Sequence, residues 1–401
     1  MIRAHRPHAL LGLSIALGTV LAACGETPDG VSSGATSVPS PPTSLVKAGF
    51  DASAMQAAVD DFVAGSGSPG GIAAVQLDAD PPVVVASGFA DRRTATPMVG
   101  DERFYTGKIG GLFVTTVALQ LVAEGRLDLD ATVGSLLPNA PHGDLVTVRQ
   151  LLEHTSGFDD WTVGGDLTVA LEEMVAADPD RRFTSEELVE VMRQRPLAFE
   201  PGTAARHAEF NVLLLRLIIE SIESKDFGRI LDERIIEPLD LRDTAYGLDA
   251  VPPSELLPGL LRVRPDPTDQ WTTEYEGAAF VTTFYAAAPI TSTAGDLLRF
   301  GDAIHRTDTL VPRDVSRDAE VVNEFGSSLR GIALTDDGVC VMLVDCTTGT
   351  YAYVGFGQPS LALGAYSGLF YDRTIDALTF VLVNNTATSI RPLYQSVRAA
   401  I

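Results

Sequence analysis

Residues 104–130 read FYTGKIGGLFVTTVALQLVAEGRLDLD. Leu112 to Glu124 is apolar over most of its length, and Gly125 follows it. A glycine just past an apolar run is a common helix stop, so the stretch predicts a helix closed by Gly125. Its entry is unusual. Gly110 and Gly111 stand directly after Lys108-Ile109, and each glycine costs a helix about 1 kcal/mol relative to alanine.

Outward from this helix the pattern is mixed. Asp51 to Ala64 has helical spacing of apolar residues. Gly71–Leu77 and Val83–Ala86 read as strands joined by a turn around Asp80, Pro81 and Pro82. Downstream, Val146 to His154 is a short helix ending near Gly157, and Thr184 opens another, with Glu187 completing a capping box. Val212 to Ile222 is a core helix and Asp296 to His305 one more. Strands return at Cys340–Val344, Ser360–Leu363, Leu369–Asp372 and Leu378–Asn384, before a last helical pattern over Ile390–Ala400. Strands at both ends with helices between predict an α+β sandwich. One antiparallel sheet is built from N- and C-terminal strands and flanked by helices, with an inserted, mainly helical subdomain.

The chain has 401 residues and a formal charge of −24, from 53 acidic and 29 basic side chains. That balance excludes nucleic acid as a partner, because phosphates call for a basic footprint. Only three lysines occur, Lys47, Lys108 and Lys225.

Arg3 and Arg6 precede an apolar run from Ala9 to Ala23 that ends in Leu21-Ala22-Ala23-Cys24. The run falls short of the ~20 residues that cross a bilayer and reads as a secretory signal over 1–23. The small residues before Cys24 resemble a bacterial lipobox. That resemblance implies lipidation of Cys24, so the lipid bilayer is the expected partner of the N-terminus and the outer face of the cytoplasmic membrane the expected location. Residues 24–49 are rich in Ser, Thr, Gly and Pro and read as a flexible tether, ahead of a domain over 50–401. Outside the reducing cytosol, Cys340 and Cys346 are expected to form a disulfide, with two buried free thiols as the alternative.

Six segments, in order, resemble the serine β-lactamase and DD-peptidase superfamily, nearest its class C β-lactamase and esterase branch. They are the 104–130 stretch; Leu151-Leu152-Glu153-His154-Thr155-Ser156-Gly157; Pro201-Gly202-Thr203 with Leu214-Leu215 and Ile218-Ile219-Glu220; Glu237-Pro238-Leu239 with Thr244; Ser292-Thr293-Ala294-Gly295-Asp296-Leu297; and Tyr371-Asp372 with Val381-Leu382-Val383-Asn384. The resemblance covers about residues 50 to 400 and implies a β-lactamase/transpeptidase-like fold. It also implies acyl transfer: a serine at a helix N-terminus attacks a carbonyl, and a lysine three residues on takes its proton. A Tyr-x-Asn segment and a Lys/His-Ser/Thr-Gly strand assist, and backbone amides form the oxyanion hole.

At those positions the sequence departs from the family. Gapless counting puts Lys108 at the serine position and Gly111 at the lysine position. It puts His207 and Glu209 at the Tyr and Asn positions. Gln358-Pro359-Ser360 falls near the third motif, within a few residues. An amine that attacked an ester or lactam would form an amide, which resists water. Losing the serine of a comparable machine costs about six orders of magnitude in rate. Two readings of Lys108 follow: an accidental surface lysine, or a member of a new pair with Glu209 within ion-pair reach, His207 alongside. His154 reads as a core residue. His207 and Glu209 lack a third ligand for a metal, and no cofactor is expected.

The expected function is therefore a catalytically degenerate, membrane-anchored β-lactamase/DD-carboxypeptidase-like protein. It would bind or scaffold at the cell envelope, with a peptidoglycan stem peptide or an envelope protein as partner. The alternative is an active D-alanyl-D-alanine carboxypeptidase, esterase or β-lactamase with a relocated nucleophile, for which Ser156 and Ser360 are the candidates.

Overall fold

The computed structural model describes residues 50–78, 80–160, 178, 181–258, 289–319, 327–328, 331–332, 342–345, 350–356, 365–372, 375–385 and 388–401. Cys24, Cys340, Cys346, Gln358 and Ser360, the 1–23 and 24–49 segments and the Ser360–Leu363 strand lie outside them.

The centre of the fold is a seven-stranded antiparallel sheet that joins the two ends of the chain. Its strands are β1 (Gly70–Leu77), β2 (Val83–Asp91), β3 (Thr96–Pro97), β9 (Met342–Asp345), β10 (Thr350–Phe356), β11 (Tyr366–Asp372) and β12 (Ala377–Val383), in the order β3-β2-β1-β12-β11-β10-β9. β1 pairs with β12 from Gly71 opposite Val383 to Leu77 opposite Ala377. This is the sheet expected from the sequence, completed by strands from both chain ends.

Alternation along the strands feeds two cores. Ile72 and Ala74 of β1, with Leu378, Phe380 and Leu382 of β12, face the larger one. Ala73 and Val75, with Val381 and Val383, face the smaller one, formed with Met55 and Val59 of helix α1 (Ala52–Ser66) and Leu393 and Val397 of the C-terminal helix Arg391–Ala399. A sheet covered on both faces needs apolar residues at every position, and β12 is buried along its whole length.

The larger core contains helix α2 (Gly110–Ala123), which is apolar all round and almost entirely buried. It packs against the helix Glu209–Glu223. Phe113 of α2 stacks on Phe300 of the helix Ala294–His305. That helix in turn lies against β12. A three-stranded sheet of β4 (Phe104–Tyr105), β5 (Ala245–Tyr246) and β6 (Ile290–Ser292) fixes the entry to α2, and β7 (Ser327–Ser328) pairs with β8 (Gly331–Ile332) in a separate ribbon. Thr106 donates to the Ile290 carbonyl from both its backbone N–H, at 2.9 Å, and its hydroxyl, at 3.1 Å. The Thr184–Glu187 capping box forms as read. A second, at Thr147 and Gln150, opens the short helix Val148–Leu152. No helix among the described residues is long and apolar enough to cross a membrane.

Candidate active site

Three elements meet at the start of α2. The first is a 3₁₀ turn, Gly107–Ile109, that runs directly into the helix and carries Lys108. The second is the segment after Val148–Leu152, carrying His154, Ser156 and Asp160. The third is the entry to Glu209–Glu223, with His207 just ahead and Glu209 as first helical residue.

Backbone bonds lock the second element to the chain before the third. Ala198 donates to Gly157 O at 2.7 Å, Gly202 to Thr155 O at 2.8 Å and Arg206 to His154 O at 3.0 Å. Gly157 adopts φ +84°, and a β-carbon there would lie 2.2 Å from the Phe199 carbonyl oxygen. Only glycine fits this turn. The edge of Phe158 against Phe210, centroids 4.8 Å apart, adds an apolar lock.

Beneath this seam runs a buried polar chain. Ser156 Oγ donates to Asn211 Oδ1 at 2.6 Å, and the Asn211 amide contacts His154 Nδ1 at 2.9 Å. The backbone N–H of Ala208 also donates to His154 Nδ1, at 3.3 Å. Burial, and secondarily the Lys108 charge, drives the His154 pKa down to about 3. His154 is thus a neutral imidazole accepting at Nδ1, and the Ser156 hydroxyl is buried.

Above it lies an ionisable cluster. Lys108 is buried, which overturns its reading as a surface lysine. Its Nζ lies 3.7 Å from Asp160 Oδ2. The same oxygen is 3.9 Å from His207 Nε2, and His207 Nε2 is 3.6 Å from Glu209 Oε2. Lys108 and Glu209 are electrostatically coupled. Burial raises the Glu209 pKa to about 8, the ammonium working against that rise and Asp160 adding to it. Burial, then the charge of Lys108, holds His207 well below the ordinary histidine range. Both ring nitrogens of His207 are buried without a hydrogen-bond partner. Among the described residues no group of three or more His, Cys, Asp or Glu side chains is arranged to hold a metal.

Asp160 is the member of the cluster that sequence reasoning missed. It follows the His-Thr-Ser-Gly segment by three residues and belongs to no periodic pattern. The acidic pair Asp159-Asp160 was its only signal, and Asp159 turns away to pair with Arg206. Gly111 lies one turn beyond Lys108. Among the described residues outside its own helix, a β-carbon on it would meet the Val212 methyls alone, at the ordinary contact distance of 3.7 Å. The position would accept a β-carbon and carries none.

A family profile described as Beta-lactamase matches residues 55–395. The chain belongs to this beta-lactamase family. It is 28% identical over 331 residues to esterase EstB of Burkholderia gladioli, a match covering 75% of this chain and 82% of that one. It is 31% identical over 194 residues to a D-aminopeptidase of Brucella anthropi, covering 48% of this chain and 36% of the other. The shared stretch is thus little more than a third of that relative. Among solved structures, D-amino acid amidase from Ochrobactrum anthropi SV3 superposes with a TM-score of 0.72 at 21% identity, over 86% of this chain and 98% of that one. A penicillin-binding protein from Bacillus halodurans gives 0.65 at 19%, over 82% and 95%. These likenesses establish the serine-hydrolase fold.

Proposed function

We propose that this chain is a member of the family that has given up acyl-enzyme turnover and serves as a binding or scaffolding protein at the cell envelope. One observation carries the reading. The 3₁₀ turn that leads into α2 presents an ammonium, Lys108, ion-paired with a buried carboxylate, and a bare glycine, Gly111, stands one turn on. An acyl ester cannot form without a hydroxyl, and no lysine follows to take a proton. His207 and Glu209, which the sequence counting sets at the Tyr-x-Asn positions, lie in the same cluster. The purified protein is expected to release no product from a p-nitrophenyl ester or nitrocefin-type reporter beyond one equivalent. Steady hydrolysis abolished by changing a single serine would overturn this.

A second reading, an active hydrolase with a relocated nucleophile, is favoured by the relatives named for hydrolysis, the D-aminopeptidase and the esterase. Ser156 is its described candidate, and its hydroxyl is buried and committed to Asn211. Stoichiometric fluorophosphonate labelling of a serine would establish it.

The apolar run ending at Cys24 supports an envelope location. Lipid attached at Cys24 would hold the domain at the outer membrane face by its buried methylenes. Palmitate incorporation that persists in Cys24→Ala would end that part of the proposal.

A further inference from the structure

We infer that Lys108 is a single-use acyl acceptor: its ε-amine takes the acyl group of an activated ester or strained lactam and keeps it as an amide. The inference rests on the reading that the site does not turn acyl groups over. It adds what the site does instead.

Position comes first. Lys108 stands in the 3₁₀ turn that feeds α2, held from behind by the two Thr106 bonds to Ile290. Gly111 lies on the same helix face one turn on, and among the described residues outside that helix a β-carbon built there would meet only the Val212 methyls, at 3.7 Å.

Proton handling comes second. Asp160 Oδ2 lies 3.7 Å from Nζ and 3.9 Å from His207 Nε2. His207 has both ring nitrogens buried and free of hydrogen bonds. An imidazole with an open nitrogen can relay a proton, and because burial disfavours the charged ring it holds that proton only in passing. The ammonium passes one proton to the cluster and thence to water. The freed nitrogen lone pair attacks the carbonyl carbon, forming the C–N bond. The C–O bond to the alcohol breaks, and the alcohol leaves with the second nitrogen proton. Nothing is oxidised or reduced. A lactam reacts in the same way, except that its ring nitrogen receives the proton and stays attached. The amide does not return to the amine under conditions that hydrolyse an ester. Acylation also removes the cation with which Asp160 pairs, so the site changes electrically once and stays changed.

The shortage of lysines supplies an internal standard. Lys225 pairs with Glu233 on the surface, its side chain 36% exposed against 2% for Lys108. Random acylation follows exposure and favours Lys225. Directed acylation reverses that order. The full chain is incubated in its native state with p-nitrophenyl acetate, digested, and mapped by mass spectrometry over time. Lys108 is expected to gain an acetyl group about tenfold faster than Lys225, or more, as a positioned amine does. Nitrophenolate release should stop at about one equivalent, and His207→Gln should slow Lys108 while leaving Lys225 unchanged. Labelling of Lys225 as fast as or faster than Lys108 overturns the inference and leaves the loss of turnover standing. Continuous release removed by a serine change overturns both.

Discussion

Asp160 and His207 share a buried seam: the carboxylate oxygen that faces the Lys108 ammonium at 3.7 Å lies 3.9 Å from His207 Nε2. The carboxylate therefore has a cation on one side and a neutral ring on the other. Removing one partner of a buried ion pair typically costs about 3–5 kcal/mol, whereas removing both charges together can be nearly neutral. Lys108→Met is expected to lower stability by about 3 kcal/mol. Lys108→Met with Asp160→Asn should recover most of the loss. Urea denaturation of the two variants beside the parent checks this. Equal losses would mean the pair is not coupled.

The pH dependence has a defined sign. Glu209 titrates near 8 in the folded protein against an ordinary value of 4.5. Its extra proton favours the folded state at low pH, and that advantage is lost as pH rises from 4.5 through 8. His154 works the other way. Its folded value near 3 lies below the ordinary 6.5, so its contribution is complete above 6.5 and lost as pH falls. Between pH 6.5 and 8 the Glu209 slope therefore stands apart from that of His154. Over that window the parent should lose about 2 kcal/mol relative to Glu209→Gln. Parallel stability curves for the two proteins would contradict the raised carboxyl.

Ser156 and Asn211 distinguish structure from catalysis. Ser156→Ala orphans Asn211 Oδ1, at a cost of about 1–3 kcal/mol. Asn211→Ala also removes the amide that meets His154 Nδ1, so it should cost more. Neither should change the rate at which Lys108 is acetylated. Were Ser156 a nucleophile, its alanine variant would instead abolish labelling by fluorophosphonate.

Restoring the missing groups should restore chemistry. Lys108→Ser alone supplies a hydroxyl without a base and is expected to remain unlabelled by a fluorescent penicillin. Adding Gly111→Lys, whose β-carbon would sit in ordinary contact with Val212, together with His207→Tyr and Glu209→Asn returns the proton acceptor. Labelling should then rise about 100-fold over Lys108→Ser, the usual scale of a general base. No rise would mean that the site has diverged beyond these four positions.

Much of this was legible in the sequence, for local reasons. The Thr184–Glu187 cap, the core helix around Val212–Ile222 and the strands near Gly71–Leu77 and Leu378–Asn384 follow from spacing and capping chemistry. The structure carries them at Ser185–Arg193, Glu209–Glu223, Gly70–Leu77 and Ala377–Val383. β4, β5 and β6 were not legible, because strands of two or three residues exist only through their partners. β10, Thr350–Phe356, has a Tyr-Ala-Tyr-Val run that suits a strand but no alternation that sets its bounds. In the site, counting from neighbouring motifs found Lys108, His207 and Glu209. Asp160 escaped it because the tertiary fold, and no repeating pattern, brings that carboxylate to Lys108.

The pairing of β1 with β12 has a consequence for synthesis. Seven residues made early wait for a strand some three hundred residues later before their inner edge is covered. A polypeptide released short of Ala377 would leave that edge open, offering unpaired amides and carbonyls to any passing chain. Completion of the last strand is thus a built-in test of full length, and prematurely terminated copies should accumulate as insoluble material.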